Sequence, residues 1–149
     1  MSAVALRDAQ LDDAETIFEL ARELAVFEEL EESFVADLDD YRGALFGEAP
    51  SAKVLLADLD GDVVGMALYF VTFSTFLGRP GIWLEDLFVR EHARRRGVAS
   101  TLLAELRRRS PGRLEWEVLD WNEGAIALYE GLGASPLHGW TKYRTATGG

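Results

Sequence analysis

The chain has 149 residues, 15 of them basic and 26 acidic, with a net charge of −11 and 48% hydrophobic residues. That is enough apolar material for one buried core over residues 1–149, and an acidic balance that opposes nucleic-acid binding. With no cysteine and only His92 and His138, it excludes disulfides, thiolate nucleophiles and cysteine-based zinc sites, and no metal is expected.

In chain order, Ala3 to Arg7 alternates as a first strand. Asp12 or Asp13 then caps a helix to about Phe27, with Ile17, Leu20, Ala21 and Leu24 at helical spacing. Phe27 to Leu30 reads as a loop, and Asp37 to Phe46 as a second helix stopped near Gly47 and Pro50. Lys53 to Leu59 and Asp62 to Phe73 are apolar runs joined by Asp60-Gly61, a hairpin signal. Gly81 to Val89 follows as a strand, then a basic turn, then a helix from Gly97 to Arg109 with Val98, Leu102, Leu103 and Leu106 as its apolar stripe. Leu114 to Leu119 is a further strand, Asn122 to Gly131 a helix capped by Asn122, and Leu137 to Thr145 a last extended segment. This order predicts an α/β fold, one mixed sheet with helices on both faces and no second domain. No apolar stretch is long enough to span a bilayer, and the first residues lack the apolar run of a signal peptide. A soluble cytoplasmic protein that engages neither membrane nor nucleic acid is the expectation.

The charges are segregated. Half of the 26 acids lie between Asp8 and Asp40, where Arg22 is the one base, whereas eight of the fifteen bases lie between Arg90 and Arg113. One region suits a polyanion and the other a cation. For Arg107, Arg108 and Arg109 the simple complement of a helix C-terminus is an equal reading.

The stretch from Trp83 to Leu103 concentrates the chemistry. An apolar strand bearing Glu85 and Asp86 runs into Arg94-Arg95-Arg96-Gly97-Val98-Ala99 and then into a helix. A helix start offers unpaired N–H groups and partial positive charge, which suits a phosphate. Neither a P-loop nor a G-x-G-x-x-G dinucleotide fingerprint is present. A basic turn of this kind also has a plain reading as a solvated loop.

Three segments together carry a resemblance: Trp83-Leu84-Glu85-Asp86-Leu87-Phe88-Val89, then Arg94-x-x-Gly97-x-Ala99, then Asp120-Trp121-Asn122-Glu123 with Tyr129 and Gly133-Ala134 beyond. They resemble the spermidine/spermine (diamine) branch of the GCN5-related N-acetyltransferase superfamily, with its thialysine acetyltransferase relatives. The segment Ala25 to Leu30 is similar to that branch's substrate loop. The resemblance implies a mostly antiparallel mixed sheet of six or seven strands, splayed between the fourth and fifth, with acetyl-CoA threaded into the split. It implies that Leu87, Phe88 and Val89 bind the pantetheine arm through their backbone. Arg94, Arg95, Arg96, Gly97, Val98, Ala99 and Ser100 would then hold the diphosphate, with Asn122 and Tyr129 also at the cofactor. It further implies Phe27, Glu28, Glu85 and Asp86 at the amine, and homodimers paired through C-terminal strands. Asn122 keeps an equal reading as an ordinary helix cap.

An alkyl amine with pKa near ~10.4 must lose a proton before it attacks a thioester. Glu85 is the expected base, directly or through water, and Tyr129 the expected acid for the departing thiolate. Adjacent strand residues point to opposite faces, so Glu85 and Asp86 share one face only if a bulge intervenes. Glu85 and Asp86 also read as a plain rim pair, and Tyr129 as a core aromatic beside Ile126 and Leu128. Phe27 stands where polyamine enzymes tend to carry tyrosine, and His138 where they carry an acid, so a lysine-like amino acid or short diamine is as apt as spermidine. The alternatives are a non-catalytic acyl-CoA sensor and an acetyltransferase for protein amines.

Overall fold

A computed structural model describes residues 3–146. Five strands and four α-helices are present among them: β1 (Val4–Asp8), α1 (Ala14–Phe27), α2 (Leu38–Phe46), β2 (Lys53–Leu59), β3 (Asp62–Ser74), β4 (Arg79–Val89), α3 (Val98–Arg109), β5 (Leu114–Trp116) and α4 (Glu123–Gly131). The sheet order is β1-β2-β3-β4-β5, antiparallel throughout except for the parallel β4–β5 pair. The chain divides into two compact units, Met1–Glu117 and Val118–Gly149.

In the first unit the helix starts follow local chemistry. Asp37 accepts from the Asp40 N–H at 2.8 Å while the Asp40 carboxylate accepts from the Asp37 N–H at 2.9 Å, a reciprocal cap that begins α2. Asp13 caps one turn earlier than expected. Its carboxylate accepts from the Gln10 N–H at 2.8 Å and pairs with Arg7 at 2.8 Å, which closes a short 3-10 turn (Leu11–Asp13) in front of α1. That guanidinium holds the Asp13 carboxyl below the usual carboxylate range. The β2–β3 hairpin turns at Asp60 (φ 57°) and Gly61 (φ 82°), both left-handed as a tight primed turn needs.

The core lies on both faces of the sheet. On one, Ile17, Leu20 and Leu24 of α1 and Leu45 of α2 bury against Val54, Leu56, Met66, Leu68 and Phe88. On the other, α3 packs over the strands through Val98, Leu102, Leu103 and Leu106, all buried. Gly65 is required by this second layer: a Cβ there would meet the Phe88 carbonyl at 3.0 Å and Val98 Cγ1 at 3.2 Å. The three arginines that end α3 serve the helix itself. Arg108 and Arg109 both bind Glu105 at 2.7 Å, Arg109 also reaches Asp8 at 2.8 Å, and Arg107 donates to the Gly112 carbonyl at 3.2 Å.

The second unit holds α4, whose N-cap is Asn122, accepting from the Ala125 N–H at 3.2 Å. Two expectations are corrected. The strand expected over 114–119 is only three residues long, and the extended segment expected from Leu137 to Thr145 carries no strand. A strand exists by virtue of a ladder partner for its N–H and C=O groups, and residues 137–146 have none among the described residues. The count is therefore five strands among the described residues, where six or seven were expected. Trp140 and Tyr143 of this segment are exposed.

Candidate active site

The parallel β4–β5 ladder joins Ile82 to Leu114, Trp83 to Glu115 and Leu84 to Trp116, and there it stops. β5 approaches β4 closely at Gly81, where a Cβ would lie 2.8 Å from the Arg113 carbonyl. Beyond Leu84, β4 continues for five residues, Glu85 to Val89, with no described strand paired to its outer edge. The direction of each backbone group follows from one bond. The Arg90 N–H donates to the Val64 carbonyl at 2.8 Å, so Arg90 faces β3. Alternation along an antiparallel strand then turns Val89 and Leu87 outward and Phe88 inward. The open edge presents the N–H groups of Leu87 and Val89, while those of Phe88 belong to the β3 ladder.

A bulge sits where the split begins. Leu68 pairs with Asp86 and Tyr69 with Leu84, so Glu85 is the extra residue of β4. Leu68 and Met66 face α1, and their partners Asp86 and Phe88 therefore do too. Phe70, two residues beyond Leu68, pairs with Trp83, and the Trp83 indole N–H donates to Glu85 Oε1 at 2.9 Å. Glu85 and Asp86 thus share one face, the condition that strand alternation alone forbids.

Glu28 joins them from the end of α1. The helix terminates in a Schellman turn: the Leu30 N–H donates to the Ala25 carbonyl at 2.8 Å and the Glu29 N–H to Val26 at 3.0 Å. The left-handed position that usually takes glycine is occupied by Glu29 at φ 60°, a non-glycine residue held in a costly conformation beside the acids. Burial raises the Glu28 carboxyl above its ordinary range. The Asp86 carboxyl is pushed up to about 7, first by burial, then by the charges of Glu85 and Glu28. Burial, and then the Asp86 charge, pushes the Tyr41 phenol up to about 12. Tyr41 is a site residue that sequence reasoning missed. Its place is fixed by packing of α2 against Phe18, whose ring centroid is 5.3 Å away, and Phe34 at 6.4 Å. A tyrosine four residues into a helix of mixed character gives no local sign of that.

Arg95 (φ 65°) and Gly97 (φ 76°) are left-handed, and no side chain caps α3. The first N–H groups of the helix, at Val98, Ala99 and Ser100, have no intrahelical acceptor. A Cβ at Gly97 would meet nothing within 4 Å, so the backbone conformation and not crowding requires glycine there. Arg95 and Arg96 are exposed. Arg94, exposed as well, is engaged differently: its Nε donates to the Val89 carbonyl at 2.9 Å, and its guanidinium lies against Phe27 and Phe88.

A strand edge opened by a bulge, an uncapped helix start and a carboxylate cluster fit an acyl-CoA thioester and an amine. A model of the acetyltransferase (GNAT) family matches residues 15–134. The chain belongs to that family. It is an N-acetyltransferase of the branch that holds the thialysine and diamine enzymes. The acetyltransferase is 34% identical to the thialysine N-epsilon-acetyltransferase of Bos taurus, over 97% of this chain and 93% of the relative. The Caenorhabditis elegans enzyme of the same name is 37% identical over 89% of this chain and 86% of its own length. Among solved structures, an integron cassette protein from the mobile metagenome of V. cholerae superposes with a TM-score of 0.77 at 25% identity, covering 97% of this chain and 93% of that one. The acetyltransferase keeps Asn122 at the N-cap and Tyr129 within α4, in the second unit. No helix among the described residues is long and apolar enough to cross a membrane.

Proposed function

We propose that the protein transfers the acetyl group of acetyl-CoA to the primary amine of a small cationic substrate, a lysine-like amino acid or a short diamine, by direct attack within a ternary complex. The observation that carries this reading is the clustering of Glu28, Glu85 and Asp86, with Asp86 holding its proton up to about 7, at the point where β4 parts from β5. The cluster supplies what a cationic amine requires. Its negative charge draws the ammonium in, and a positioned carboxylate takes the proton. Glu85, the exposed member oriented by Trp83, accepts the ammonium's proton directly or through a water. Asp86, once ionised, adds a second negative charge beside it.

The uncharged amine then attacks the carbonyl carbon of the thioester. A C–N bond forms and the C–S bond breaks; the thiolate takes a proton for which Tyr129 is the proposed donor, and the proton that the nitrogen sheds on becoming an amide passes to water, which restores the phenol. The N–H groups of Leu87 and Val89 suit the carbonyls of the pantetheine arm, a small-molecule form of strand addition, and an N–H at the bulge suits the thioester oxygen. The loop from Arg95 to Ser100 would hold the diphosphate, and Asn122 the cofactor side of α4. Phe27 and Glu28 would line the amine's approach. The thialysine relatives support a lysine-like amino acid ahead of a polyamine, as does Phe27 in place of tyrosine.

Thiol release from acetyl-CoA, followed with thialysine, lysine, ornithine, short diamines, spermidine and a lysine peptide, tests this. Rapid release with the small amines and little with the peptide is expected. Binding of acetyl-CoA without release by any amine would make the protein a sensor instead. In the same assay Tyr129→Phe is expected to lower turnover by about 10- to 100-fold with acetyl-CoA affinity retained. Unchanged turnover would remove Tyr129 from the mechanism.

A further inference from the structure

We infer that Arg94 is a positioning residue that ties the amine side of the site to the cofactor edge, and is not a ligand of the diphosphate; the inference builds on the acetyltransferase reading above. Its Nε donates to the Val89 carbonyl at 2.9 Å, and its guanidinium carbon lies 4.8 Å from the Phe27 ring centroid and 5.7 Å from that of Phe88. A guanidinium placed in this way has its planar face over aromatic rings and its inner donor spent on the strand. The backbone agrees. Arg94 is extended (φ −71°, ψ 158°), and its N–H donates to the Glu91 carbonyl at 3.2 Å. Arg94, Arg95 and Arg96 are all exposed, and it is the strand bond and the two rings that set Arg94 apart; Arg95 and Arg96, beside the uncapped start of α3, are the arginines placed for an anion.

The two ends of this clamp have different jobs. Phe27 is the last residue of α1 and adjoins Glu28 of the carboxylate cluster. Phe88 and Val89 belong to the stretch of β4 that is paired to β3 but has no described strand on its outer edge, the edge proposed for the pantetheine arm. Arg94 therefore fixes the end of α1, and with it the acidic wall, relative to the strand that holds the acyl group. Amine and thioester must meet within a fraction of an ångström for attack, so loosening this link is felt at the amine.

Arg94→Lys keeps the charge and removes the flat stacking surface and the Nε donor. The expected result is a rise of about tenfold in KM for the amine, while affinities for coenzyme A and for pantetheine, which lacks the diphosphate, change by the same small factor. Phe27→Leu leaves Arg94 in place and is expected to raise the amine KM similarly, with the double variant no worse than Arg94→Lys alone. A loss of coenzyme A affinity without a matching loss for pantetheine would make Arg94 a diphosphate ligand and overturn the inference. An unchanged amine KM would overturn it as well. Should the wild-type protein release thiol with no amine, the acetyltransferase reading fails, while the coenzyme A and pantetheine affinities still decide where Arg94 acts.

Discussion

Replacing Glu85 or Asp86 by its amide is expected to lower kcat/KM for the amine by about 10²- to 10⁴-fold, the range over which a positioned base contributes. The wild-type profile has an acid limb. Ionised Asp86 adds negative charge that draws in the ammonium, and because burial and like charge push its carboxyl up to about 7, the rate is expected to rise with pH through that value. Stability moves the opposite way from activity. In the unfolded chain this carboxyl titrates near ~3.9, so the folded state binds the proton more tightly. The stability contributed is present below that value and is lost as pH rises through about 7. Asp86→Asn, which carries no charge at any pH, is thus expected to gain on the order of 1 kcal/mol over wild type above pH ~7 and nothing near pH ~4. Thermal melts at the two pH values read this. A variant that keeps its rate, or whose melting point is the same relative to wild type at both, would show that the carboxylate is a rim charge.

Gly97→Val is expected to weaken acetyl-CoA binding by about 10- to 100-fold, from 1–3 kcal/mol of backbone strain at a left-handed position. At φ 76° a β-branched residue is forced out of the conformation that aims the first N–H groups of α3 outward. A Cβ at this position meets no other atoms, so packing of the unit is spared and the loss is confined to the anion loop. Isothermal titration with acetyl-CoA measures it, and circular dichroism confirms that helix content is kept. Full affinity in the variant would mean that the diphosphate is held elsewhere.

Much of this site is legible in the residues, and the reasons differ from element to element. The strand, basic turn and helix from Trp83 to Leu103 announce themselves, because an apolar run, a glycine and a helical stripe are local signals. The bulge at Glu85 is legible only conditionally: alternation says that two adjacent acids cannot share a face, and the extra residue of β4 is what lets them. The end of α1 is less visible. Ala25 to Leu30 contains no glycine or proline, and the turn there places Glu29 in a left-handed conformation that composition does not suggest. Tyr41 is silent in sequence because its neighbours come from α1 and β4, far along the chain. The two aromatic rings that pack on Arg94 are equally silent, because no spacing rule connects them to it. The expected last strand fails for a related reason: Leu137 to Thr145 has strand-like residues and no ladder to join.

Amide hydrogen exchange at three consecutive residues of β4 reads the occupied split most directly. With acetyl-CoA added, the N–H groups of Leu87 and Val89 should pass from fast to slow exchange, while that of Phe88, already committed to the β3 ladder, stays slow throughout. Leu87 and Val89 exchanging at the same rate with and without saturating acetyl-CoA would contradict a pantetheine arm lying along the open edge of β4.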